Sequence, residues 1–509
     1  MKRTQTASRI SACLLALLLM FTAVLLCACG ESESTDTSTE NAVSGTDSSA
    51  QENTDIPPKV KNLEGREINV LCWNFSLNSN SIQGYTGEII YSDEDNSSQV
   101  DVAKKAVIDY VETEYNCKID GILDGGLASD DVVGTKVTNM VTTGTYDYDI
   151  IFHRGSSLAR LAQSGVLTNL NNVGTLNLKN SWWDQNAVEQ LSIANKLFYV
   201  NGDINTYDDL GTWCVIFNKT LKTKLGIEED FYETARKGDW TLDHFIELCK
   251  GVTTEKNGDG VLNEFDQWAF GTETYNVFVQ VLGGGLHVVE KDGDDLPYIS
   301  AAEHPEQLYS ALEKITNFYQ SGEVMVANGG KYTQYANPWE ATVHKAFIEG
   351  RELFYMCGLI NLAGFRNMED DIGALPIPKT FEDQEQYYHT VSVDNSSYMA
   401  LPKGVPDIED LGLVIEALAM KSQELVTPAF YDKQLKQRDV RDDESSEVLD
   451  LLFATRSFDL GPAYNWGNLM TAYYTIDSNF ASRFDGLLDA AETAMQLTID
   501  DILDLTEEE

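Results

Sequence analysis

The sequence predicts an α/β protein with a parallel sheet in its amino-terminal half. Glu67–Trp73, Lys118–Leu123 and Tyr148–Phe152 are short apolar runs typical of buried strands. Between them, Val100–Tyr115 and Val132–Val141 carry apolar residues at helical spacing. Strands that alternate with helices predict a parallel sheet with right-handed crossovers. Because the chain has 509 residues, we also expect two or three domains rather than one core.

The remaining elements are read from the same patterns, and the chain shows no internal repeat. A short helix is predicted at Ser157–Ala162, and Thr241 is a good N-cap for a helix beginning at Leu242. From Ile408 the chain looks mostly helical. Other extended runs are expected at Leu197–Asp203, Gly211–Asn218, Gln267–Phe270, Glu352–Cys357, Asp371–Pro378 and Val391–Leu401, and other helices within Lys219–Cys249 and at Pro305–Tyr319 and Ala341–Ile348.

The amino-terminal segment, residues 1–28, has the plan of a secretory signal peptide. Lys2, Arg3 and Arg9 are followed by an apolar run from Ile10 to Leu26. Its end resembles the bacterial lipobox, which implies cleavage before Cys29 and attachment of a diacylglyceryl group, with two acyl chains such as palmitate, to the sulfur of that cysteine. Cys27 is a rival acceptor, but bulky Leu26 would then precede the cut. The alternative is an uncleaved membrane helix, for which the run is slightly short.

Residues 29–62 are predicted to be the lipidated cysteine and a disordered linker. From Gly30 to Pro58 the sequence is polar, with hardly an apolar side chain and no Lys or Arg. The whole chain carries a formal charge of −45, which opposes binding to nucleic acid or to an anionic lipid surface. We therefore expect membrane contact through the lipid anchor only, on the extracytoplasmic face of the cell membrane.

The cysteines predict neither a disulfide framework nor a zinc site. Of eight cysteines, Cys13, Cys27 and Cys29 lie in the export signal. The other five are widely separated and show no Cys-x-x-Cys or Cys/His ligand spacing. They are Cys72, Cys117, Cys214, Cys249 and Cys357. We expect them to be small buried hydrophobes.

A series of short segments between residues 66 and 420 resembles the extracellular solute-binding proteins of bacterial ABC importers, family 1, the sugar-binding type. The segments are individually weak, but their order and spacing are specific. They are Tyr148–Phe152, Gly165–Leu170, Val215–Leu221, Lys224–Ile227, Trp240–Phe245, Phe347–Met356, Gly373–Lys379 and Ala400–Lys403.

The resemblance implies a two-lobed, periplasmic-binding-protein-like clamshell of type II with a hinge between the lobes. Lobe 1 would span 63–210 with 388–440 returning to it, and lobe 2 would span 211–387 with 441–509 packing on it. The chain would cross between lobes near Trp213–Asn218 and near Asp394–Leu401. The resemblance further implies a monomer that captures a mono- or oligosaccharide by hinge closure and delivers it to permease subunits.

A sugar site requires aromatic faces for the rings and polar groups for the hydroxyls. Residues at strand ends and predicted crossings are candidates, because ligands of parallel sheets gather at the carboxyl ends of strands, and so are the tryptophans Trp339 and Trp466, which lie in loop-like polar contexts. The aromatic candidates are Trp73, Trp213, Trp339 and Trp466, and the polar ones are Asn74, His153, Arg154, Asp203, Asn361, Asp394 and Asn395. Each also has a structural alternative, such as a core aromatic, an Asx turn or a surface ion pair.

The segment Glu255–Asp266 follows the EF-hand loop pattern, with Gly260 at the sharp turn. Its candidate calcium ligands are Glu255, Asn257, Asp259, Val261 and Asp266. Two departures weaken the match, Glu255 at position 1 and the short Asp266 at position 12. The alternative is a solvated turn, and any calcium would be structural, since no cofactor is required.

No sequence motif of hydrolases, P-loop enzymes or dinucleotide-binding enzymes is present, so we expect a binding protein rather than an enzyme. Two other functions stay open at this point. One is a surface hydrolase or lyase acting on polysaccharide, and the other is an adhesion or signalling receptor that reuses the clamshell. The same fold also serves non-sugar solutes such as peptides.

Overall fold

The structure is a computed structural model that describes residues 55–74, 87–92, 94, 98–124, 132–431 and 443–505. All of these belong to one compact unit, Asn53–Glu509. The predicted signal peptide, Cys29 and the linker up to residue 54 lie outside the described residues. Among the helices in these ranges, none combines the length and apolar character needed to cross a bilayer.

Fourteen strands are assigned in the described residues. They are β1 (Arg66–Trp73), β2 (Cys117–Asp124), β3 (Ile150–Arg154), β4 (Tyr199–Val200), β5 (Trp213–Asn218), β6 (Trp268–Thr272), β7 (Val289–Lys291), β8 (Pro297–Ile299), β9 (Val324–Val326), β10 (Glu352–Gly358), β11 (Ile372–Leu375), β12 (His389–Thr390), β13 (Ser397–Ala400) and β14 (Arg456–Ser457).

Seventeen α-helices accompany them in the same part of the chain. They are α1 (Gln99–Tyr115), α2 (Val132–Thr143), α3 (Gly155–Gln163), α4 (Gln185–Gln190), α5 (Tyr207–Leu210), α6 (Lys219–Lys224), α7 (Phe231–Arg236), α8 (Leu242–Cys249), α9 (Asn276–Gly283), α10 (Ser300–Glu303), α11 (Pro305–Tyr319), α12 (Lys345–Ile348), α13 (Ile408–Pro428), α14 (Asp443–Ala454), α15 (Leu460–Tyr464), α16 (Met470–Tyr473) and α17 (Phe480–Asp504). A π-helical turn, Glu340–His344, precedes α12.

The first sheet has the strand order β2-β1-β3-β13-β4. The strands β1, β2 and β3 are parallel, as the sequence predicts, and β1 pairs with β2 from Arg66↔Cys117 to Trp73↔Asp124. The strand β13, from far along the chain, inserts antiparallel between β3 and β4. The helix α1 packs between this sheet and α13 and begins with a capping box at Ser98 and Asp101.

The second sheet has the order β11-β5-β10-β6-β9. Its central strands β5 and β10 are antiparallel, and β10, β6 and β9 run parallel. Every residue of β5, β6 and β10 is buried, so the sheet is covered on both faces. The prediction of an α/β fold with two lobes and a hinge is confirmed, each lobe being built around one sheet.

Two antiparallel segments run between the two sheets. Thr212 forms a bridge with Val391, and the Ser392 N–H donates to the Gly211 carbonyl at 3.0 Å. The expected extended run Val391–Leu401 is interrupted here, because the Ser392 hydroxyl accepts from the Asn395 N–H at 3.1 Å in a local turn. These paired residues lie a few positions before the predicted crossings, and the crossings themselves stay a prediction.

The carboxyl-terminal helices contact both parts of the molecule. The helix α13 packs on α1, whereas α14 packs on β11 and α7. The helix α15 packs against α3, and α17 contacts both α3 and α11. The predicted lobe boundaries, including the assignment of 441–509, stay a prediction.

The last residues of the predicted linker are held against the folded body. The Asp55 carboxylate accepts from the Ser181 N–H at 2.7 Å, and the Ile56 N–H donates to Asn180 at 2.9 Å. Lys61 forms an ion pair with Asp410. Within the described residues, specific contacts of the predicted linker are present from Asp55 onward.

Candidate functional site

The edge of the first sheet brings three of the predicted residues together. Trp73 ends β1 and Arg154 ends the parallel strand β3, so both lie at the same edge. The Arg154 guanidinium is 5.9 Å from the Trp73 ring centroid, a cation–π contact. The His153 ring meets Trp73 edge-on at 5.7 Å and is buried beneath it. Asn74 follows Trp73 directly and is partly buried.

The loop that precedes β13 adds polar groups to this edge. Ser156, in the first turn of α3, donates its hydroxyl hydrogen to the Asp394 carboxylate at 2.5 Å. Gly155 lies so close to Tyr398 that a Cβ there would come within 2.9 Å of the ring. A side chain at Gly155 would therefore clash with Tyr398. In the neighbouring loop Asp394 is exposed and Asn395 is partly buried.

The corresponding edge of the second sheet carries an aromatic wall. Trp213 begins β5, opposite Gly358 at the end of β10. The Tyr275 ring lies 5.5 Å from Trp213 and 5.3 Å from Tyr474. Trp213 is buried. We call Trp213, Tyr275 and Tyr474 the aromatic wall.

Asp394 of the first edge acts electrostatically on two tyrosines of the aromatic wall. Burial raises the pKa of the Tyr275 and Tyr474 hydroxyls, and the nearby Asp394 carboxylate raises them further. Both phenols are therefore neutral at physiological pH and can donate as well as accept hydrogen bonds. We define the interlobe site as Trp73, Arg154, Ser156 and Asp394 of the first edge together with the aromatic wall.

A carboxyl group lies at the same end of the second sheet. Glu273 follows β6, and burial raises its pKa to about 7 although the Asn328 amide donates to it at 2.6 Å. Since Glu273 is two residues before Tyr275, this group extends the polar margin of the aromatic wall.

Four of the predicted residues have partners outside the interlobe site. Asp203 ends the run after β4, but its carboxylate accepts from Thr427 and Gln423 of α13. The Trp466 indole donates to Thr498 of α17 at 2.7 Å. Trp466 also stacks on Tyr464 at 4.7 Å, so it packs within the carboxyl-terminal helices.

The other two, Trp339 and Asn361, contact the strand β10 of the second sheet. Trp339 donates to the Tyr355 hydroxyl at 2.7 Å and stacks on His344, whose pKa burial lowers to about 4. The Asn361 amide donates to the Gly358 carbonyl at 3.1 Å, which places it near the edge that Trp213 occupies.

The sequence reasoning missed Ser156, Tyr275 and Tyr474. Tyr275 stands shortly after β6, so a strand-end rule applied to the second sheet would have found it. Tyr474 follows the short helix α16, and no local pattern distinguishes it among 23 tyrosines. It reaches the site only because the carboxyl-terminal helices pack back on the sheets.

The predicted calcium loop is closed by its own hydrogen bonds. Asp266 accepts from the N–H groups of Lys256, Asn257 and Asn263 at 2.7 to 3.2 Å, and these bonds lower its pKa despite its burial. Asp259 accepts from the Asn263 amide at 2.6 Å. Nowhere in the described ranges do three or more His, Cys, Asp or Glu side chains converge as a metal site. Calcium binding through Glu255, Asn257, Asp259, Val261 and Asp266 stays a prediction.

The five cysteines of the folded region are free thiols and all are buried. Burial raises the pKa of Cys72 to about 12 and that of Cys117 to about 11. Because the thiolate is the reactive form, these cysteines are chemically inert at neutral pH.

Solved structures share this fold over most of the chain. The GacH receptor of Streptomyces glaucescens, solved unliganded and with acarbose, is 13% identical, with a TM-score of 0.50, covering 87% of this chain and 99% of that one. The maltose-binding periplasmic protein MalE of Listeria monocytogenes, in complex with maltose, is 12% identical, with a TM-score of 0.51 and coverages of 87% and 99%. At these identities the likeness establishes the fold alone.

A cyclo/maltodextrin-binding protein complexed with maltotetraose is similar to the same degree, with 11% identity, a TM-score of 0.51 and coverages of 87% and 99%. No curated protein matches this sequence. Residues 122–408, more than half of the chain, match the family described as bacterial extracellular solute-binding protein. The chain therefore belongs to the bacterial extracellular solute-binding proteins.

Proposed function

We propose that this protein captures a carbohydrate in the interlobe site and delivers it to the permease of an ABC importer, without acting as an enzyme. The observation that carries the proposal is the aromatic wall beside Asp394, whose carboxylate accepts from Ser156 and raises the pKa of the Tyr275 and Tyr474 hydroxyls. The solved relatives in complex with maltose and maltotetraose support a sugar as the solute.

The chemistry of the site suits a sugar ring. The apolar C–H face of a pyranose stacks on an aromatic ring, and its hydroxyls require both donors and acceptors at fixed positions. The site offers Arg154 as a donor, Asp394 as an acceptor, and Tyr275 and Tyr474 as rings with neutral hydroxyls.

Hinge closure would couple binding to transport. The segments at Thr212 and Val391 are short and paired, so a rotation there moves one sheet against the other as a rigid body. A ligand that contacts Arg154 and Tyr275 together binds the closed state better than the open one, and it shifts the population by that difference.

Binding is tested by calorimetric titration of the purified protein with maltose, maltotriose and maltotetraose. Tyr275→Ala removes one stacking face and should raise the dissociation constant at least tenfold, or about 1.4 kcal/mol. Tyr298→Ala, on the strand β8 away from the site, is the matched control and should bind as the wild type does.

Four results would count against the proposal. Equal affinities of the two variants would exclude the aromatic wall as the binding surface. Consumption of the sugar would favour the hydrolase or lyase, and binding of peptides instead of sugars would favour a non-sugar solute. Small-angle scattering that shows no compaction with a bound ligand would remove the closure mechanism.

We further propose that residues 1–28 are removed and that lipidated Cys29 anchors the protein, as a monomer, on the extracytoplasmic face of the membrane. Two acyl chains meet the requirement for stable anchoring. Cys29→Ala should release the protein from membranes and abolish incorporation of labelled palmitate, whereas Cys27→Ala should do neither. An intact amino terminus in the wild-type protein would indicate an uncleaved membrane helix instead.

A further inference from the structure

A cavity of about 330 Å³ lies beside the first sheet, and its lining is separate from the interlobe site. Its walls come from the turn before α4, the segment that leads from β4 into α5, the end of α13, the helix α14 and the strand β14. None of the residues that define the interlobe site lines it. The cavity therefore requires its own explanation.

Carboxylates outnumber cationic groups around this cavity. The Arg456 guanidinium forms ion pairs with Asp184 at 2.6 Å, Asp208 at 3.0 Å and Asp209 at 2.8 Å, and all four side chains are largely buried. Asp203 lines the cavity as well. One guanidinium cannot neutralise these acids, and burial raises the pKa of Asp209 to about 7 although Arg456 lowers it.

The side chain of Asn205, which is not part of the acidic cluster, also has a buried acceptor without a donor in the described part of the chain. Asn205 lines the cavity and is only 3% exposed. Its Nδ2 donates to the Ser397 carbonyl at 3.1 Å, which fixes the orientation of the amide. Its Oδ1 has no donor among the described residues, and neither has Oδ1 of Asp208, which is 2% exposed. Buried acceptors of this kind are normally paired.

The cavity also has aromatic walls. The Phe453 ring centre lies 5.5 Å from the Arg456 guanidinium, a cation–π contact, and 5.1 Å from the ring of Tyr431. Such faces accept an organic cation with an apolar stem. A bare divalent metal is a poorer match, because in the described part of the chain no three carboxylate, His or Cys groups converge at coordinating distances.

We propose that this cavity binds a small organic ammonium ion, with its N–H groups on Asn205, Asp208 and Asp209 and its carbon stem against Phe453. The cation supplies the donors that the two open acceptors lack and offsets the excess of buried negative charge. This is a second ligand site, independent of the carbohydrate proposed for the interlobe site.

The probe is putrescine, titrated calorimetrically into the purified protein, with 1,4-butanediol as its uncharged counterpart of equal length. Putrescine should bind with a stoichiometry of one, and butanediol should not bind. Asp209→Asn preserves shape and leaves Arg456 two carboxylate partners, and it should weaken putrescine binding at least about tenfold. Glu447→Gln, on the outer face of the same helix as Phe453, is the matched control and should change nothing.

Several results would overturn the assignment. These are no saturable putrescine binding, equal binding of butanediol, or equal affinities of Asp209→Asn and Glu447→Gln. Displacement of putrescine by equimolar calcium would identify a metal site instead. If Asp209→Asn does not fold by circular dichroism, Asp203→Asn replaces it with the same expectation. Tyr275→Ala must leave putrescine binding intact, which separates this site from the proposed sugar site.

Discussion

Replacing Arg456 by leucine should strongly destabilise the protein, and more so at high pH. The guanidinium pairs with Asp184, Asp208 and Asp209 within 3.0 Å, and its own side chain is only 12% exposed. Leucine leaves three buried carboxylates without their cation. Breaking a buried ion pair in this way typically costs 3–5 kcal/mol, so we expect a loss of about 3–5 kcal/mol at pH 8.

The pH dependence follows from the same contacts. Burial raises the pKa of Asp208 and Asp209, whereas Arg456 lowers both. Without Arg456 their pKa rises further, so the folded state binds more protons than the unfolded chain, in which an aspartate titrates near 4. Stability then falls as the pH rises through this window, and the loss should be clearly smaller at pH 5.5 than at pH 8.

The assay is urea unfolding followed by tryptophan fluorescence at both pH values. The matched control is Arg236→Leu, since Arg236 pairs with Glu233 and Glu447 on the surface. Exposed pairs contribute little, so this control should unfold close to the wild type at both pH values. The reasoning is refuted if the Arg456 variant is no less stable than this control at pH 8, or if its loss is the same at pH 5.5.

Three further outcomes concern other buried sites. Glu352 is fully buried, neither carboxyl oxygen has a partner in the described residues, and burial raises its pKa well above the usual range. Glu352→Gln should therefore unfold at higher urea than the wild type at pH 8, with a smaller gain at pH 5. Gly467 has φ +57°, and a Cβ there would lie 2.5 Å from the Ala491 nitrogen, so Gly467→Ala should lower the unfolding free energy by about 1–3 kcal/mol. Trp466→Phe loses the hydrogen bond to Thr498 and should cost about 1 kcal/mol in thermal unfolding while leaving sugar affinity unchanged.

The sequence predicted best the bounds of those elements whose pattern of apolar residues is visible in the local sequence. The helix Pro305–Tyr319 has the predicted bounds, because its apolar stripe and amino-terminal proline are both visible in the sequence. The strand predicted at Tyr148–Phe152 instead runs over Ile150–Arg154. Polar His153 and Arg154 join it because they pair with Tyr398 and Ser397, more than two hundred residues later. No local pattern contains that partner.

The candidate site likewise combines residues that the sequence predicted to lie together with residues whose partners it did not predict. Trp73, His153 and Arg154 were expected together because the carboxyl ends of parallel strands share an edge. Asp203 also follows a strand, yet its carboxylate accepts hydrogen bonds from α13. Asp203 lines the cavity beside the first sheet instead of the interlobe site. A strand-end rule gives the position of a residue but not the direction in which its side chain finds a partner.

The sequence by itself determined the α/β class, the family and the first sheet's parallel core, because alternating apolar periodicity and the order of short segments are properties of the chain alone. Only the tertiary structure decided which aromatic residues reach the interlobe site and which pack inside. Trp466 and Tyr474 lie eight residues apart in one helical region. The Trp466 indole donates a hydrogen bond to α17, whereas the Tyr474 ring contacts Tyr275. The physical reason is that burial and hydrogen-bond partners depend on contacts between distant segments, which local periodicity does not encode.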